Sequence, residues 1–228
     1  MQQPAIIVMT KVPTPGSVKT RLRPFLTSEQ ASSLAACFLK DTVSNALKVT
    51  PNVIAAFYPP ERRKEIEAII PDEVVLIEQR GSGLGEKLEA ALNDVEALGF
   101  SPIMTLGSDS PSLPHEILKT AIESFREPET DFLLGETQDG GFYLIGLRKM
   151  TPGIFHGITW SSQNVFRETI ANAKRIGLSN RLELPVWYDV DLPEDLIMLH
   201  DKAIADPKMR EQIPATFDWL MSNQSVFK

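Results

Sequence analysis

Short runs of β-branched and aliphatic residues alternate along this chain with longer segments of helical periodicity. The clearest runs are PAIIVM at 4–9, NVIAAF at 52–57, VVLI at 74–77 and IMTL at 103–106, and each predicts a buried strand. The amphipathic segments between them predict helices, and strands that are joined by crossover helices form a parallel sheet. The pattern therefore predicts an α/β fold.

The second half of the chain departs from a purely parallel arrangement. Strands are predicted at 132–134 and 142–147, and the connector between them is short enough for a hairpin. A further strand is predicted within 182–190, and two helices follow it. The hairpin predicts a mixed, mostly parallel sheet. No stretch has the composition of a linker, so residues 1–228 are predicted to form a single domain.

The charge balance and the cysteine count exclude several classes of protein. With 23 Lys+Arg against 30 Asp+Glu the formal net charge is −7, which argues against a nucleic-acid-binding surface. Cys37 is the one cysteine, so no intramolecular disulfide forms, and we expect a small buried residue within a helix. The N-terminus lacks the pattern of a signal peptide, and the longest uncharged stretch, 150–166, cannot span a bilayer. The expected compartment is the cytoplasm.

The loop after the first strand carries the densest chemical signal. It contains three prolines, Gly16 and four cations: Lys11, Lys19, Arg21 and Arg23. A rigid loop with convergent cations at the end of a strand suits phosphate binding. It is not a P-loop, because Val18 rather than glycine precedes Lys19. The alternative is a solvated basic loop, and we expect Lys19 to be an exposed cation that contributes little to stability.

Asp109 follows the strand at 103–106 within the sequence GSDSP. A carboxylate in this place is presented at the carboxyl edge of the sheet, where α/β proteins bind ligands. The alternative role, capping the helix that begins near Pro114, is better served by Ser112. Asp109 is therefore a candidate metal ligand, since Mg²⁺ takes one or two carboxylates together with substrate phosphates.

A second pair of carboxylates, Asp189 and Asp191, lies at the end of the last predicted strand. At strand spacing both side chains share one face, and two neighbouring carboxylates repel each other unless a cation lies between them. This favours a metal site. Asp191 is also a plausible N-cap for the helix that begins at Pro193, so a structural role for it stays open.

Two glycine-containing loops complete the set of candidates. Asp139 begins an Asp-Gly-Gly turn, which is typical of a hairpin and also allows a ligand to approach the backbone. Gln79 precedes a loop with Gly81, Gly83 and Gly85. A glutamine side chain can read a base edge through paired hydrogen bonds, and the glycines would let a flat ring lie on the backbone. The three histidines have no metal-ligand spacing.

Taken together, these motifs resemble a known family. They occur in the order Lys11 to Leu22, Gln79 with Leu84-Gly85-Glu86, Gly107 to Pro111, Asp139 to Tyr143, Trp160-Ser161 and Asp189-Val190-Asp191. In this combination the chain resembles the DUF2064 proteins, which are glycosyltransferase A-like and similar to the nucleotide-diphospho-sugar transferase superfamily. The segment Lys19-Thr20-Arg21-Leu22 is also similar to the Lys-Ser-Arg-Leu segment of 2-phospholactate guanylyltransferases.

The resemblance implies a Rossmann-like three-layer sandwich that binds a nucleotide with Mg²⁺ or Mn²⁺. From the residues themselves, Asp109 and one of Asp189 and Asp191 are assigned to the metal, and Asp139 is the best candidate for a catalytic base. The residues assigned to phosphate and base binding are Lys11, Gly16, Lys19, Arg21, Gln79, Gly83 and Gly85. Two family patterns are missing, namely the Asp-X-Asp metal motif of glycosyltransferases and the Gly-Gly-X-Ser-X-Arg loop of nucleotidyltransferases.

Three functions follow as hypotheses. The leading one is glycosyl transfer from a nucleoside diphosphate sugar to an unknown acceptor. The alternative is nucleotidyl transfer, in which an acceptor phosphate attacks a nucleoside triphosphate and pyrophosphate leaves. The third is a nucleotide-binding module without catalysis. The Lys-Thr-Arg-Leu segment favours nucleotidyl transfer, whereas the missing Gly-Gly loop speaks against it.

Overall fold

The computed structural model describes residues 3–23 and 25–227, and its strands form one seven-stranded sheet. The strands are β1 (Ala5–Lys11), β2 (Val53–Tyr58), β3 (Val75–Glu78), β4 (Ile103–Gly107), β5 (Phe132–Thr137), β6 (Phe142–Leu147) and β7 (Arg181–Trp187). Their order across the sheet is β3-β2-β1-β4-β6-β5-β7. Strand β6 pairs antiparallel with β4 and β5, whereas the other pairs are parallel. The predicted mixed, mostly parallel sheet is therefore confirmed.

Helices connect the strands and close the chain. They are α1 (Ser28–Leu47), α2 (Arg63–Glu67), α3 (Leu84–Ala97), α4 (His115–Ser124), α5 (Val165–Arg175), α6 (Pro193–Ala205), α7 (Pro207–Gln212) and α8 (Pro214–Ser222). Thr27 and Gln30 form a reciprocal capping box at the start of α1. Three α-helices follow β7, rather than the two predicted. No helix among the described residues is long and apolar enough to cross a bilayer.

The sheet is buried on both faces, because its parallel strands are joined by helices that cover each side. Side chains alternate along β1: Ile6 and Val8 pack with α1, α2 and α4, whereas Ala5 and Ile7 belong to the layer of α3 and α5. A third apolar cluster joins the outer face of α1 to α6 and α8. The three-layer α/β architecture that the resemblance implied is thus the one observed.

The direction of the strands positions the candidate site. Since β1, β3, β4, β5 and β7 run the same way, the loops that follow them meet at one edge of the sheet, together with the turn between β5 and β6. Two boundaries differ from the prediction. Strand β7 ends at Trp187, before the carboxylates, and β5 extends to Thr137, which shortens the hairpin loop.

Candidate functional site

A cleft of about 350 Å³ opens at the carboxyl edge of the sheet. Its walls come from the loop after β1, from the segment after β3, from the loop after β4 and from the segment before α6. The lining includes five of the residues that the sequence singled out for phosphate or metal binding: Lys11, Lys19, Arg21, Asp109 and Asp191. The topology therefore brings these residues together, although Lys19 and Asp191 are 172 positions apart in the chain.

Lys19 is the most enclosed charged group of the cleft. Its side chain is 5% exposed, and Nζ lies 2.5 Å from Asp109 Oδ1 and 3.0 Å from Asp191 Oδ1. It donates hydrogen bonds to Asp191 Oδ1 and, at 2.9 Å, to the carbonyl oxygen of Val190. Burial acts to lower the pKa of Lys19, but the two carboxylates more than offset it and the pKa is raised. Lys19 is therefore a buried, charged residue, and the expectation of an exposed loop cation is wrong.

The backbone at Lys19 has an unusual conformation for its residue type. Its φ of 47° lies in the left-handed region, which non-glycine residues adopt at a cost. The two hydrogen bonds and the ion pairs of the ammonium anchor the far end of the side chain in this conformation. Burial of Leu22, one turn later, holds the following segment against α1.

Arg21 and Lys11 are the other cations on the cleft wall. Arg21 is 67% exposed, with Nη1 3.6 Å from Asp191 Oδ2, and within the described chain its guanidinium makes no hydrogen bond. Lys11 donates from Nζ to the carbonyl oxygen of Ser17 at 2.9 Å, which braces the loop. Gly16 lies outside the lining of the cleft; its φ of 81° and its carbonyl, which accepts from Arg23, shape the loop. Arg21 is thus the cation that is best placed to meet a ligand.

Asp109 is presented to the cleft and has no capping role. Its side chain is 51% exposed, and its backbone carbonyl accepts from Val190 N at 2.9 Å, which ties the loop after β4 to the segment before α6. Helix α4 begins at His115 without a side-chain cap. The predicted cap, Ser112, instead donates to the hydroxyl of Tyr188 at 3.0 Å.

Asp191 is also released from a capping role, because another residue performs it. The N-cap position of α6 is Leu192, and the carboxylate of Asp195 accepts from the backbone N–H groups of Asp191 and Leu192 at 3.0 and 2.8 Å. The suggestion that Asp191 caps this helix is therefore wrong. Its own carboxylate points to Lys19 and borders the cleft.

Asp189 differs from Asp191 in its surroundings. It lies beyond the end of β7, so the two carboxylates do not share a strand face as predicted. Asp189 accepts a hydrogen bond from the hydroxyl of Ser110. Burial raises the pKa of Asp189 to about 7, and the nearby charges of Asp109 and Asp191 contribute in the same direction. Near neutral pH this group is therefore divided between its protonated and its ionised form.

Gln79 lines the cleft with an amide whose donors are already used. Nε2 donates to the carbonyl oxygens of Thr10 and Ala56 at 2.9 and 2.8 Å, at the ends of β1 and β2. A side-chain amide has two N–H donors and these two carbonyls take both of them. The predicted paired reading of a base edge by donor and acceptor is therefore excluded in this arrangement. Oε1 is the atom that is left for a ligand.

The three glycines after Gln79 shape the loop and the start of α3, and none of them lines the cleft. Gly81 has a φ of 123° and packs against Glu86, whose carboxylate binds the N–H and hydroxyl of Ser82. Gly83 is the N-cap of α3. Gly85 is buried and faces the indole of Trp160, which a Cβ would approach to 3.1 Å. Leu84, between the last two, is the residue that lines the cleft.

A second chamber of about 440 Å³ adjoins the cleft and shares Arg21, Leu84 and Asp191 with it. The turn between β5 and β6 forms one wall, and the segment before α5 forms another. Asp139 accepts from the hydroxyl of Thr137 at 2.6 Å and from Gly141 N at 3.1 Å through one oxygen, Oδ1. Its other oxygen has no hydrogen bond within the described residues.

The aromatic wall of this chamber was not among the sequence-predicted site residues. Trp160 packs edge-on against Phe142, with ring centroids 6.2 Å apart, and next to it Ser161 has a left-handed φ of 63°. One signal could have identified it, since Trp160-Ser161 is among the motifs that carry the family resemblance. The chamber therefore combines an aromatic face with three carboxylates, those of Asp139, Asp189 and Asp191.

The carboxylates of Asp109 and Asp191 suit a divalent cation whose remaining ligands come from water or substrate. Asp109 and Asp191 are 51% and 39% exposed, and each has one carboxylate oxygen that is not bound to Lys19. Within 3–23 and 25–227, no group of three or more His, Cys, Asp and Glu side chains is gathered closely enough to hold a metal. The donor set suits Mg²⁺ or Mn²⁺ bound by two carboxylates, with water or substrate phosphates as the remaining ligands.

Two of the solved structures with this fold are described as transferases, in agreement with the predicted enzyme class. A nucleotide-diphospho-sugar transferase candidate from Desulfovibrio desulfuricans G20 is 28% identical, with a TM-score of 0.90 over 99% of this chain and 97% of that one. A cytidylyltransferase from Leptospira borgpetersenii serovar Hardjo-bovis is 13% identical, with a TM-score of 0.63 over 99% and 97% of the two chains. Rv0371c from Mycobacterium tuberculosis H37Rv, in complex with manganese, is 17% identical, with a TM-score of 0.51 over 85% and 95%.

The family of the chain follows from its sequence. A search of curated proteins gave no match. Residues 42–162 match the model of DUF2064, a family described as uncharacterized proteins conserved in bacteria. This match spans more than half of the 228 residues, including the strands that support Gln79, Asp109 and Asp139. The resemblance drawn from the motifs is confirmed, and the chain belongs to the DUF2064 family.

Proposed function

We propose that this protein is a metal-dependent transferase that acts on a nucleotide-activated substrate, with a nucleoside diphosphate sugar as the leading donor. One observation carries the proposal: Lys19, Arg21, Asp109 and Asp191 converge in one cleft at the carboxyl edge of the sheet. The solved structure of a nucleotide-diphospho-sugar transferase candidate, 28% identical over almost the whole chain, supports it. The chain acts as a single domain in this proposal.

In the proposed site each residue has a distinct task. Asp109 and Asp191 would hold Mg²⁺ or Mn²⁺, which would supply positive charge opposite the diphosphate. Arg21, exposed at the rim, binds phosphate oxygens. Gln79 offers Oε1 to an N–H group of the base, and Lys11 borders the same wall. Asp189 is kept beside this set by Ser110.

The second chamber favours an acceptor that carries a hydroxyl group. Its charged lining consists of Arg21 and three carboxylates, of which Asp189 is partly protonated near neutral pH, so without a metal ion this wall is net negative and disfavours a phosphorylated acceptor. The indole of Trp160 offers an apolar face against which the C–H groups of a sugar or another polyol can pack. These features favour glycosyl transfer over attack by an acceptor phosphate.

In the proposed glycosyl transfer, one bond forms and one bond breaks at the anomeric carbon of the sugar. The acceptor oxygen forms a bond to the anomeric carbon of the sugar, and the bond from that carbon to the diphosphate oxygen breaks. The diphosphate leaves with the bonding electrons. The hydroxyl proton passes to a carboxylate, for which Asp139 Oδ2, with no hydrogen bond within the described residues, is the candidate.

Nucleotidyl transfer is the second candidate function. It is favoured by the basic segment of Lys19 and Arg21 at the end of β1, which could receive a triphosphate. In that reaction an acceptor phosphate oxygen bonds to the α-phosphorus and pyrophosphate leaves. The acidic chamber speaks against this acceptor.

Analysis of the products separates the candidates. The protein is first screened by thermal shift with nucleoside diphosphates, triphosphates and sugar nucleotides of four bases, with and without Mn²⁺, because a ligand of the native state raises the Tm. Ligands that bind are then incubated with a pool of hydroxyl acceptors. Release of a nucleoside diphosphate supports glycosyl transfer, and release of pyrophosphate supports nucleotidyl transfer. Binding with neither product supports a module without catalysis and overturns the transferase.

A further inference from the structure

The contacts of Lys19 disagree with its predicted role, which is to bind phosphate. The ammonium of Lys19 donates hydrogen bonds to Asp191 and to the carbonyl of Val190 and forms an ion pair with Asp109, and its side chain is 5% exposed. In this arrangement the ammonium is enclosed by these three partners and is not open to a phosphate. The same two carboxylates are also the ones that fit a divalent cation. Lys19 thus places a positive charge between the two proposed metal ligands, where the metal ion would also lie.

We propose that Lys19 and a divalent metal ion compete for the carboxylates of Asp109 and Asp191. Lys19 bridges the two carboxylates in the structure, and binding of Mg²⁺ or Mn²⁺ to them would release the ammonium into the cleft, where it meets the phosphates of the nucleotide. This inference rests on the proposed function, because it requires the metal site.

Electrostatics explains why the two cations exclude each other. An ammonium and a divalent ion on the same pair of carboxylates repel each other at short range, since both have the same sign of charge. Without either cation the two carboxylates repel instead. One cation therefore satisfies the two carboxylates in each state, and the exchange would begin at Asp109 Oδ2, which lies on a half-exposed side chain and is not bound to Lys19.

The side chain of Lys19 is suited to such an exchange. Lysine has a compact charge on a flexible four-carbon stem, so the ammonium can move while the backbone stays in place. The loop is fixed independently by the contact of Lys11 with Ser17 and by the burial of Leu22. Release of the ammonium therefore couples metal binding to nucleotide binding, and by linkage each strengthens the other.

Manganese binding to the nucleotide-free protein tests the competition. The dissociation constant for Mn²⁺ is measured by electron paramagnetic resonance of the free ion in wild type, Lys19→Met, Lys11→Met and Asp109→Asn. Lys11→Met is the matched control, because it removes a cation from the same cleft wall that contacts Ser17 rather than the carboxylates. We expect Lys19→Met to bind Mn²⁺ at least about tenfold more tightly than wild type, and Lys11→Met to differ by about threefold or less.

Each other outcome overturns a defined part of the account. If Lys19→Met binds Mn²⁺ no more tightly than wild type while Asp109→Asn loses binding, the metal site stands and the competition is wrong. If Lys19→Met and Lys11→Met tighten Mn²⁺ binding equally, the gain comes from the lower positive charge of the cleft, and direct competition by Lys19 is wrong. If no variant binds Mn²⁺, or if binding is unchanged in Asp109→Asn, the metal site of the proposed function fails.

A measurement on wild type covers the case in which Lys19→Met does not fold. Acetylation of lysine amines by acetic anhydride is quantified by mass spectrometry with and without saturating Mg²⁺. We expect Lys19, 5% exposed, to be protected without metal and to react several-fold faster with it, whereas Lys11 stays unchanged. Equal protection of Lys19 in a protein shown to bind Mg²⁺ contradicts the exchange.

Discussion

The carboxylate of Asp195, in the first turn of α6, holds the backbone N–H of Asp191 at 3.0 Å. It also holds the N–H of Leu192 at 2.8 Å. This arrangement fixes the backbone while leaving the side chain of Asp191 for Lys19 and the cleft. A residue that looks like an ordinary acidic helix start thus positions a proposed metal ligand.

Replacing Asp195 should therefore affect both stability and metal binding. We expect Asp195→Ala to lose about 1 kcal/mol of unfolding free energy, since it removes the cap of α6, which lowers the Tm by about 2–4 °C. It should also weaken Mn²⁺ binding, because Asp191 loses its anchor. Glu194→Ala, the neighbouring acidic residue of the same turn, is the control. Equal effects of the two substitutions would show that Asp195 acts only through the charge of the turn.

The turn between β5 and β6 contains a glycine, Gly140, at which a side chain would clash with the segment before α5. Gly140 has a φ of 86°, and a Cβ there would overlap the backbone carbonyl of Gln163. Gly157 has a φ of 66° and open space around it. We expect Gly157→Ala to cost about 1 kcal/mol from the left-handed backbone alone, and Gly140→Ala to cost at least about 2 kcal/mol more. Chemical denaturation of both variants measures the difference, and similar costs would contradict the packing of this turn.

Cys37 gives a prediction of pH dependence. Burial raises the pKa of the Cys37 thiol to about 11, with Asp41 contributing in the same direction. A free cysteine has a pKa of about 8.5, so at pH 8 the native thiolate should be more than about 100-fold scarcer than in the unfolded chain. The rate of alkylation by iodoacetamide should rise about tenfold per pH unit between pH 7 and 9 in native protein. A rate that levels off near pH 8.5 would contradict the raised pKa.

Local patterns in the sequence predicted much of the fold. The strands came from short runs such as those at 103–106 and 142–147, and the start of α1 came from the capping box of Thr27 and Gln30. These features depend on neighbouring residues, so a single sequence contains them. The end of β7 was placed too late, because Tyr188 and Val190 continue the alternation of apolar residues after the sheet pairing stops at Trp187.

The site was harder to predict, because its side chains are defined by partners far away in the sequence. The spacing of cations in the loop after β1 identified Lys19, but its burial comes from Asp191 and the carbonyl of Val190. Gln79 was expected to face a base, whereas its donors bind the ends of β1 and β2. A pattern indicates which chemistry a residue brings, but only the packed chain shows which partner takes it.

The most direct test of the account is the dependence of nucleotide binding on metal in wild type and Asp109→Asn. Calorimetric titration with the nucleotide that gives the largest thermal shift is carried out with and without Mn²⁺, and Asp201→Asn, on exposed α6 surface, controls for the loss of one negative charge. The account predicts that Mn²⁺ tightens binding at least about tenfold in wild type and Asp201→Asn and has no effect in Asp109→Asn. An equal effect of Mn²⁺ in Asp109→Asn would contradict the metal-dependent transferase.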